Sequence, residues 1–329
     1  MSRRLSSIVA LSFAMAASGV AADPSAASTT VYRGICDASA AVAIDADRFV
    51  VANDDKNILM AYRVGQPKGE EALDLRDYLK DKNSDLEGAA RIGDRIFWIA
   101  SHGRKANGEF KPERRRFFAT PVTGGASSKL EIPPLPPVEN LLDQMIADER
   151  YKALGLEAAS QKPSESMDGL NIEGLAATPD GKLLIGFRNP RPAGLAIIAV
   201  LENPAEAING KPARFGAPWR LALGGRGIRS IERIGDRYLI IAGPHDDGAN
   251  DGSDFALYAA PSVGDQPTAV DNVSFKGLFP EAIFAMPDGS IHILSDDGGV
   301  MVDGERCKDA DKAKRSFRGQ KLDLPASPK

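Results

Sequence analysis

Only two of the 329 residues are cysteine and three are histidine. Cys36 and Cys307 lie far apart and neither belongs to a C-x-x-C pair, so the chain has no thiolate metal motif. Neither sign of charge is in excess: 41 Lys and Arg against 45 Asp and Glu leave −4, with no electrostatic footprint for nucleic acid. There is no Gly-x-Ser-x-Gly elbow and no P-loop, which removes serine acyl-enzyme and nucleotide-hydrolysing mechanisms. Amphipathic helices between successive apolar runs are also missing, and Rossmann and TIM folds require them. Beyond the first two dozen residues no apolar run nears the roughly 20 residues that cross a bilayer.

What is present begins with Arg3-Arg4, an apolar run from Ile8 to Ala17, and small residues at Val20 and Ala22. This pattern predicts a signal peptide over residues 1–22, a periplasmic or secreted mature chain, and no membrane insertion after cleavage. In an oxidising compartment Cys36 and Cys307 are expected to pair, closing the first and last parts of the domain. Thr30-Val31-Tyr32 is then expected beside Val300-Met301-Val302.

The organising feature is a repeat: an acidic residue, a small or apolar step, a Gly-Asp or Asp-Gly turn, a dense apolar strand and a polar loop. It runs through Glu87-Gly88 to Ser101-His102-Gly103, through Glu173-Gly174 to Arg188-Asn189, through Glu232 to His245-Asp246, and through Glu281-Ala282 to Asp296-Asp297. A weaker copy near Asp54 carries Ala40 in the acidic position. Turn residues between short apolar runs mark hairpins, and repetition every ~40–90 residues marks propeller blades with insertions. The expectation is an all-β β-propeller over residues 23–307, with six blades and with five or seven as neighbouring counts. A helical insertion is expected over 138–159, after Pro133-Pro134-Leu135-Pro136-Pro137, as a lid or as packing, and a poorly ordered tail over 308–329. The basic run Arg114-Arg115-Arg116 reads as a solvated loop or strand edge.

In a propeller, equal positions of the repeat fall on one ring about the axis. Glu87, Glu173, Glu232 and Glu281 would form that ring, and converging carboxylates raise one another's pKa values. Three arrangements relieve the repulsion: a hard cation, pairing with arginine, or backbone N–H groups of neighbouring blades. The cation reading selects Ca²⁺, since oxygen ligands abound and no His/Cys cluster exists. His102 and His245, read as matched loop positions, are candidate acid–base groups beside Glu173 and Arg188. Asp54, Arg104, Asn189, Asp246 and Asp296 are candidate ligand contacts. The two readings are metal-assisted hydrolysis of a phosphate or other ester, lactones included, and non-catalytic capture of a ligand or partner in the cell envelope. The ligand in either case would be small and anionic, or an ester.

The Glu-Gly-x-Ala and Pro-Glu-Ala steps, Ser101-His102-Gly103, and Asn171-Ile172-Glu173-Gly174-Leu175-Ala176 with Gly186-Phe187-Arg188-Asn189-Pro190 resemble a family of exported bacterial propellers catalogued as a domain of unknown function. That family is similar to esterase-like and phytase-like propellers, and the resemblance spans about residues 35–305. It implies the propeller fold, and through the phytase-like and lactonase-type groups it implies hydrolysis assisted by Ca²⁺ or another divalent cation.

Overall fold

The computed structural model describes residues 29–53, 56–246 and 251–324. Among these residues, five four-stranded antiparallel sheets form the blades of a propeller. Blade 1 is β2 (Ala40–Ala43), β3 (Arg48–Ala52), β4 (Ile58–Arg63) and β5 (Glu70–Asp74). Blade 2 is β6 (Leu86–Ile92), β7 (Arg95–Ala100), β8 (Phe117–Thr123) and β9 (Lys129–Leu130). Blade 3 is β10 (Asn171–Ala177), β11 (Leu183–Asn189), β12 (Ala196–Leu201) and β13 (Trp219–Leu221). Blade 4 is β14 (Gly227–Ile234), β15 (Arg237–Gly243), β16 (Ala256–Ala260) and β17 (Thr268–Ala269). Blade 5 takes β18 (Pro280–Ala285) and β19 (Ile291–Ser295), then β22 (Ser316–Leu322), and is completed by the N-terminal strand β1 (Thr29–Arg33). A small hairpin, β20 (Met301–Val302) and β21 (Glu305–Arg306), stands apart from the blades.

The blade count is therefore five, not six. The interval between Glu87 and Glu173 holds the outer strands of blade 2, the proline-rich stretch and the insertion instead of a further blade. The insertion is not one helix. It is helical over Leu141–Ala147, breaks at Asp148, makes a 3-10 turn at Lys152–Leu154, and resumes over Leu156–Ala159 after Gly155 turns left-handed at φ 70°. The C-terminal tail also departs from expectation, because β22 lies within residues 308–329 and pairs with both β19 and β1. β1 thus closes the last blade against β22, while Met301-Val302 pairs with Glu305-Arg306. The Cys36–Cys307 disulfide forms as expected, with Cα atoms 5.9 Å apart.

The apolar core is split into five seams, one between each pair of neighbouring blades. Strand residues alternate in side, so successive inner-strand positions feed the two flanking seams in turn. Ile231 packs with Trp219 and Ile198 between blades 3 and 4, whereas Ile283 packs with Leu239 and Ile241 between blades 4 and 5. The seam between blades 2 and 3 also swallows Leu141, Leu142, Met145, Tyr151 and Leu154 of the insertion. The insertion is packing material for that seam. Arg115–Asp143 at 2.8 Å and Arg116–Glu139 at 3.2 Å tie it to the loop before β8, which gives the basic run its partners.

Candidate functional site

Each inner strand except that of blade 1 carries a β-bulge near its start. The register skips a residue between Leu86 and Gly88, Ile172 and Gly174, Ile228 and Ser230, and Pro280 and Ala282. The residues left over are Glu87, Glu173, Arg229 and Glu281, and an extra residue at a bulge is re-aimed out of the pleat. β2 pairs regularly from Ala40 to Ala43, so blade 1 contributes no such residue. The ring is therefore three glutamates and one arginine. Glu232 lies three residues further along β14, paired in register with Leu239, and is not a ring member. The repeated glycine after Glu87 and Glu173 has a steric cause: a Cβ on Gly88 would stand 2.8 Å from Leu175 Cβ, and one on Gly174 would stand 2.9 Å from Ile228 Cγ2.

Because each pair of strands is antiparallel, the start of the inner strand and the end of the second strand share one face. Asn171 stands opposite Asn189, and Leu86 opposite Ala100. This brings Arg188 into the ring. Its Nη1 donates to Glu173 Oε1 at 2.7 Å, and Asn171 Nδ2 donates to the same oxygen at 2.9 Å. Arg229 Nε pairs with Glu173 Oε2 at 2.8 Å, and its Nη2 pairs with Glu281 Oε1. Arg229 Nη1 also donates to the carbonyls of Pro244 and Asp246 at 3.4 and 3.2 Å, and Phe255 lies under the guanidinium. All five charged side chains are buried. Burial raises the carboxyl of Glu173 against the downward pull of Arg188 and Arg229, with Glu281 adding to the rise. Burial disfavours the charge on Arg229, but Glu173, Glu281 and Glu87 outweigh it and hold the guanidinium protonated. At the ring lies a cavity of about 10 Å³ lined by Ala40, Ala41, Glu87, Glu173, Ser230 and Ile283, which is the size of one water.

The histidines do not join this network. His102 follows Ala100 by two residues, whereas His245 follows Ala242, the register equivalent of Ala100, by three. They are not matched positions. His102 is buried, its Nδ1 donates to the Ala100 carbonyl at 2.8 Å, and burial lowers its pKa to about 4 with Arg115 and Arg116 close by. His245 is half-buried, with Nε2 3.5 Å from Asp246 Oδ2, and its backbone carbonyl accepts Asn189 Nδ2. His292 stacks on Phe284 and bonds Ser290, a packing role in the strand. Arg104 is spent on the turn that follows the insertion, donating to the Ser160 carbonyl and to Gln161 Oε1. Asp296 accepts the Gly298 amide. Asp54 lies outside the described residues. Arg229 was missed because blade 4 reads in sequence as an Ile-Glu step at Ile231-Glu232. The readable signal was Gly227-Ile228-Arg229-Ser230, at the same distance before its turn as Asn171-Ile172-Glu173-Gly174.

The described residues of the ring do not fit a Ca²⁺ site. Both oxygens of Glu173 and one of Glu281 are already ion-paired with guanidinium nitrogens, and a cation would have to displace them. Among the described residues no three His, Cys, Asp or Glu side chains cluster closely enough to hold a metal.

A family model described as "Protein of unknown function (DUF3616)" matches residues 138–259. The match is to a family of unknown function. It spans the insertion, blade 3 and most of blade 4, and so includes Glu173, Arg188, Asn189 and Arg229. This agrees with the resemblance read from the repeat motifs. No curated protein matches the chain. Solved structures similar to it include a GH43 β-1,3-galactosidase with galactodeoxynojirimycin, at 10% identity over 91% of this chain and 96% of that one, TM-score 0.49. A GH43 enzyme from Xanthomonas citri complexed with xylose is 13% identical over 91% and 92%, TM-score 0.47. A PQQ-bound aldose sugar dehydrogenase from Streptomyces coelicolor is 9% identical over 90% and 99%, TM-score 0.40. Likeness this distant assigns the chain no substrate.

Proposed function

We propose that the chain is an exported ligand-binding propeller, whose axial Glu–Arg network ties the blades together and forms the floor on which a small polar ligand is received. The observation that carries this is the engagement of Glu173 by Arg188 and Arg229, with Arg229 reaching on to Glu281 and no histidine taking part. Of the three ways to relieve a carboxylate ring, arginine pairing accounts for the contacts. A general acid–base mechanism needs a titrating group within hydrogen-bond reach of the reacting atoms. His102 is turned to a backbone carbonyl instead. The disulfide suits an oxidising compartment, and no helix among the described residues is long and apolar enough to cross a membrane.

The runner-up, metal-assisted ester or phosphate-ester hydrolysis, keeps one supporting observation: a buried carboxyl at Glu173 raised above the ordinary range. The decisive experiment is hydrolysis of p-nitrophenyl acetate and p-nitrophenyl phosphate by the purified chain, with CaCl₂ or with EDTA, alongside melting curves. The expected result is no turnover and a Tm indifferent to Ca²⁺ and chelator. Chelator-sensitive hydrolysis, or a Tm that climbs with Ca²⁺ and loses that response in Glu173→Gln, would overturn the binding reading. Export is checked by N-terminal sequencing of periplasmic or secreted product, which should begin at Asp23.

A further inference from the structure

We propose a second binding site, outside the axial ring and independent of it: a cavity beside the proline-rich stretch takes an apolar monocarboxylic acid, with its carboxylate on the guanidinium of Arg95. Arg95 opens β7 just after the Gly93-Asp94 turn, at the opposite end of that strand from Ala100 and the ring face. The cavity measures about 80 Å³, and Tyr78, Phe118, Pro133, Leu135 and Ile208 form much of its wall. It adjoins a trough of about 500 Å³ that shares Leu135, Pro136, Ile208 and Asn209 with it and reaches the turn after the short helix Pro204–Ala207. Small-molecule pockets commonly measure ~300–1,000 Å³, so the cavity suits a head group and the trough the rest of a small molecule.

The sequence explains the wall. Pro133, Pro134, Pro136 and Pro137 have no N–H, so this stretch does not extend the sheet of blade 2 and offers a ligand ring carbons in place of donors. Tyr78 pins it: the hydroxyl donates to the Leu135 carbonyl at 2.8 Å, and the ring packs edge-on against Phe118 at 5.4 Å. The Leu135 side chain is left 43% exposed where cavity and trough meet. Charge selects the head group. Of the residues lining the cavity, Arg95 alone is charged. The two charged residues of the trough are already paired, Glu139 with Arg116 at 3.2 Å and Lys211 with Glu206 at 3.0 Å. Among the described residues Arg95 makes no ion pair and no side-chain hydrogen bond. The other side-chain donors of the wall are committed, Tyr78 to Leu135 and Asn209 Nδ2 to the Ala205 carbonyl at 2.7 Å. A guanidinium presents its N–H donors in a fixed fork that matches a carboxylate. One positive charge among apolar walls suits one negative charge on an apolar body. A phosphate dianion would keep a charge unbalanced there, and an ammonium would meet Arg95 as a like charge.

The test uses the whole mature protein with octanoate and phenylacetate as probes, and with octanol, octyltrimethylammonium, acetate and inorganic phosphate as controls. Saturation-transfer NMR reads contact and Kd, and melting curves read stabilisation. At least one of the two acids should receive transfer and raise Tm, more strongly than any control. Arg95→Met keeps the apolar stem and removes the charge, and it should weaken the Kd of that acid about tenfold or more, the order expected for a lost charge-assisted hydrogen bond. Arg95→Lys keeps the charge without the fork and should retain part of the affinity. Without ligand both variants should melt as the wild type does, because no partner of Arg95 is stranded. A lower Tm of unliganded Arg95→Met would reveal an internal partner for the guanidinium and overturn the site. So would silence from both acids, a control that matches them, or acid binding unchanged in Arg95→Met.

Discussion

Arg229 occupies the bulge at which three other blades place glutamate, and it spends its guanidinium on the carboxylates of two of them. A buried pair that loses one partner is costly because the remaining charge cannot regain water, typically ~3–5 kcal/mol. Arg229→Met should therefore destabilise the protein by that order, read as a lower denaturant midpoint. Adding Glu281→Gln to Arg229→Met should recover part of the loss, since it removes one of the stranded carboxyls. A double variant no more stable than the single one would mean that Glu281 does not depend on Arg229. His102 gives a contrasting case. Sequence marks it by its rarity and its place after an apolar strand, but whether an imidazole faces the axis or a backbone carbonyl depends on a one-residue offset in the loop, and repeat grammar does not resolve that.

β14 shows where an element departs from its siblings. Three residues beyond the bulge, the inner strands carry Ala90, Ala176 and Phe284, which pack into the seam with the following blade. At this position β14 carries Glu232, on the same side as Ile234 in the seam between blades 4 and 5. Partial burial in the seam pushes its carboxyl up to about 8, with the Arg233 amide holding it back only in part. The folded chain thus keeps a proton that the unfolded chain releases near the ordinary glutamate value of 4.5. Stability should fall as pH rises from about 4.5 to about 8 and level off above, because the native state binds more protons across that window. Glu232→Gln should flatten this slope and melt higher than wild type at pH 8, by ~2–4 °C for each kcal/mol recovered. Equal Tm–pH slopes in both proteins would show that Glu232 does not titrate this way. The bulge itself was not legible: Ile231-Glu232 imitates Ile172-Glu173, and only the skipped register of β14 and β15 reveals the offset. The hairpins were legible, because Gly-Asp and Asp-Gly turns between dense apolar runs have few other uses.

At the scale of the molecule, five blades close only if the first and last strands of the chain meet. β1 supplies the outer strand of blade 5, and Cys36 follows it directly into the bond with Cys307. That the two cysteines pair was readable from their number and position. That the chain returns after Cys307 to insert β22 was not, since residues 308–315 are rich in Lys and Asp and resemble a tail. The closure has two parts. Phe317 stacks on Tyr32 at 5.1 Å in the seam between blades 5 and 1, and Arg318 pairs with Asp297 at 2.7 Å, so β22 carries packing that the disulfide does not. The disulfide spans 271 residues of sequence and constrains the unfolded chain, worth up to ~5 kcal/mol in the chain-entropy model. Cys36→Ser with Cys307→Ser should therefore give a folded propeller with a lower Tm and an unchanged far-ultraviolet circular dichroism spectrum. Ending the chain at residue 307 should instead prevent closure, because β1 loses the strand it pairs with in blade 5 and Tyr32 and Phe284 lose the cover of their seam. If the truncated chain melted as cooperatively as the Ser variant, closure would rest on the disulfide and not on the strand; loss of the cooperative transition in the truncated chain alone assigns it to β22.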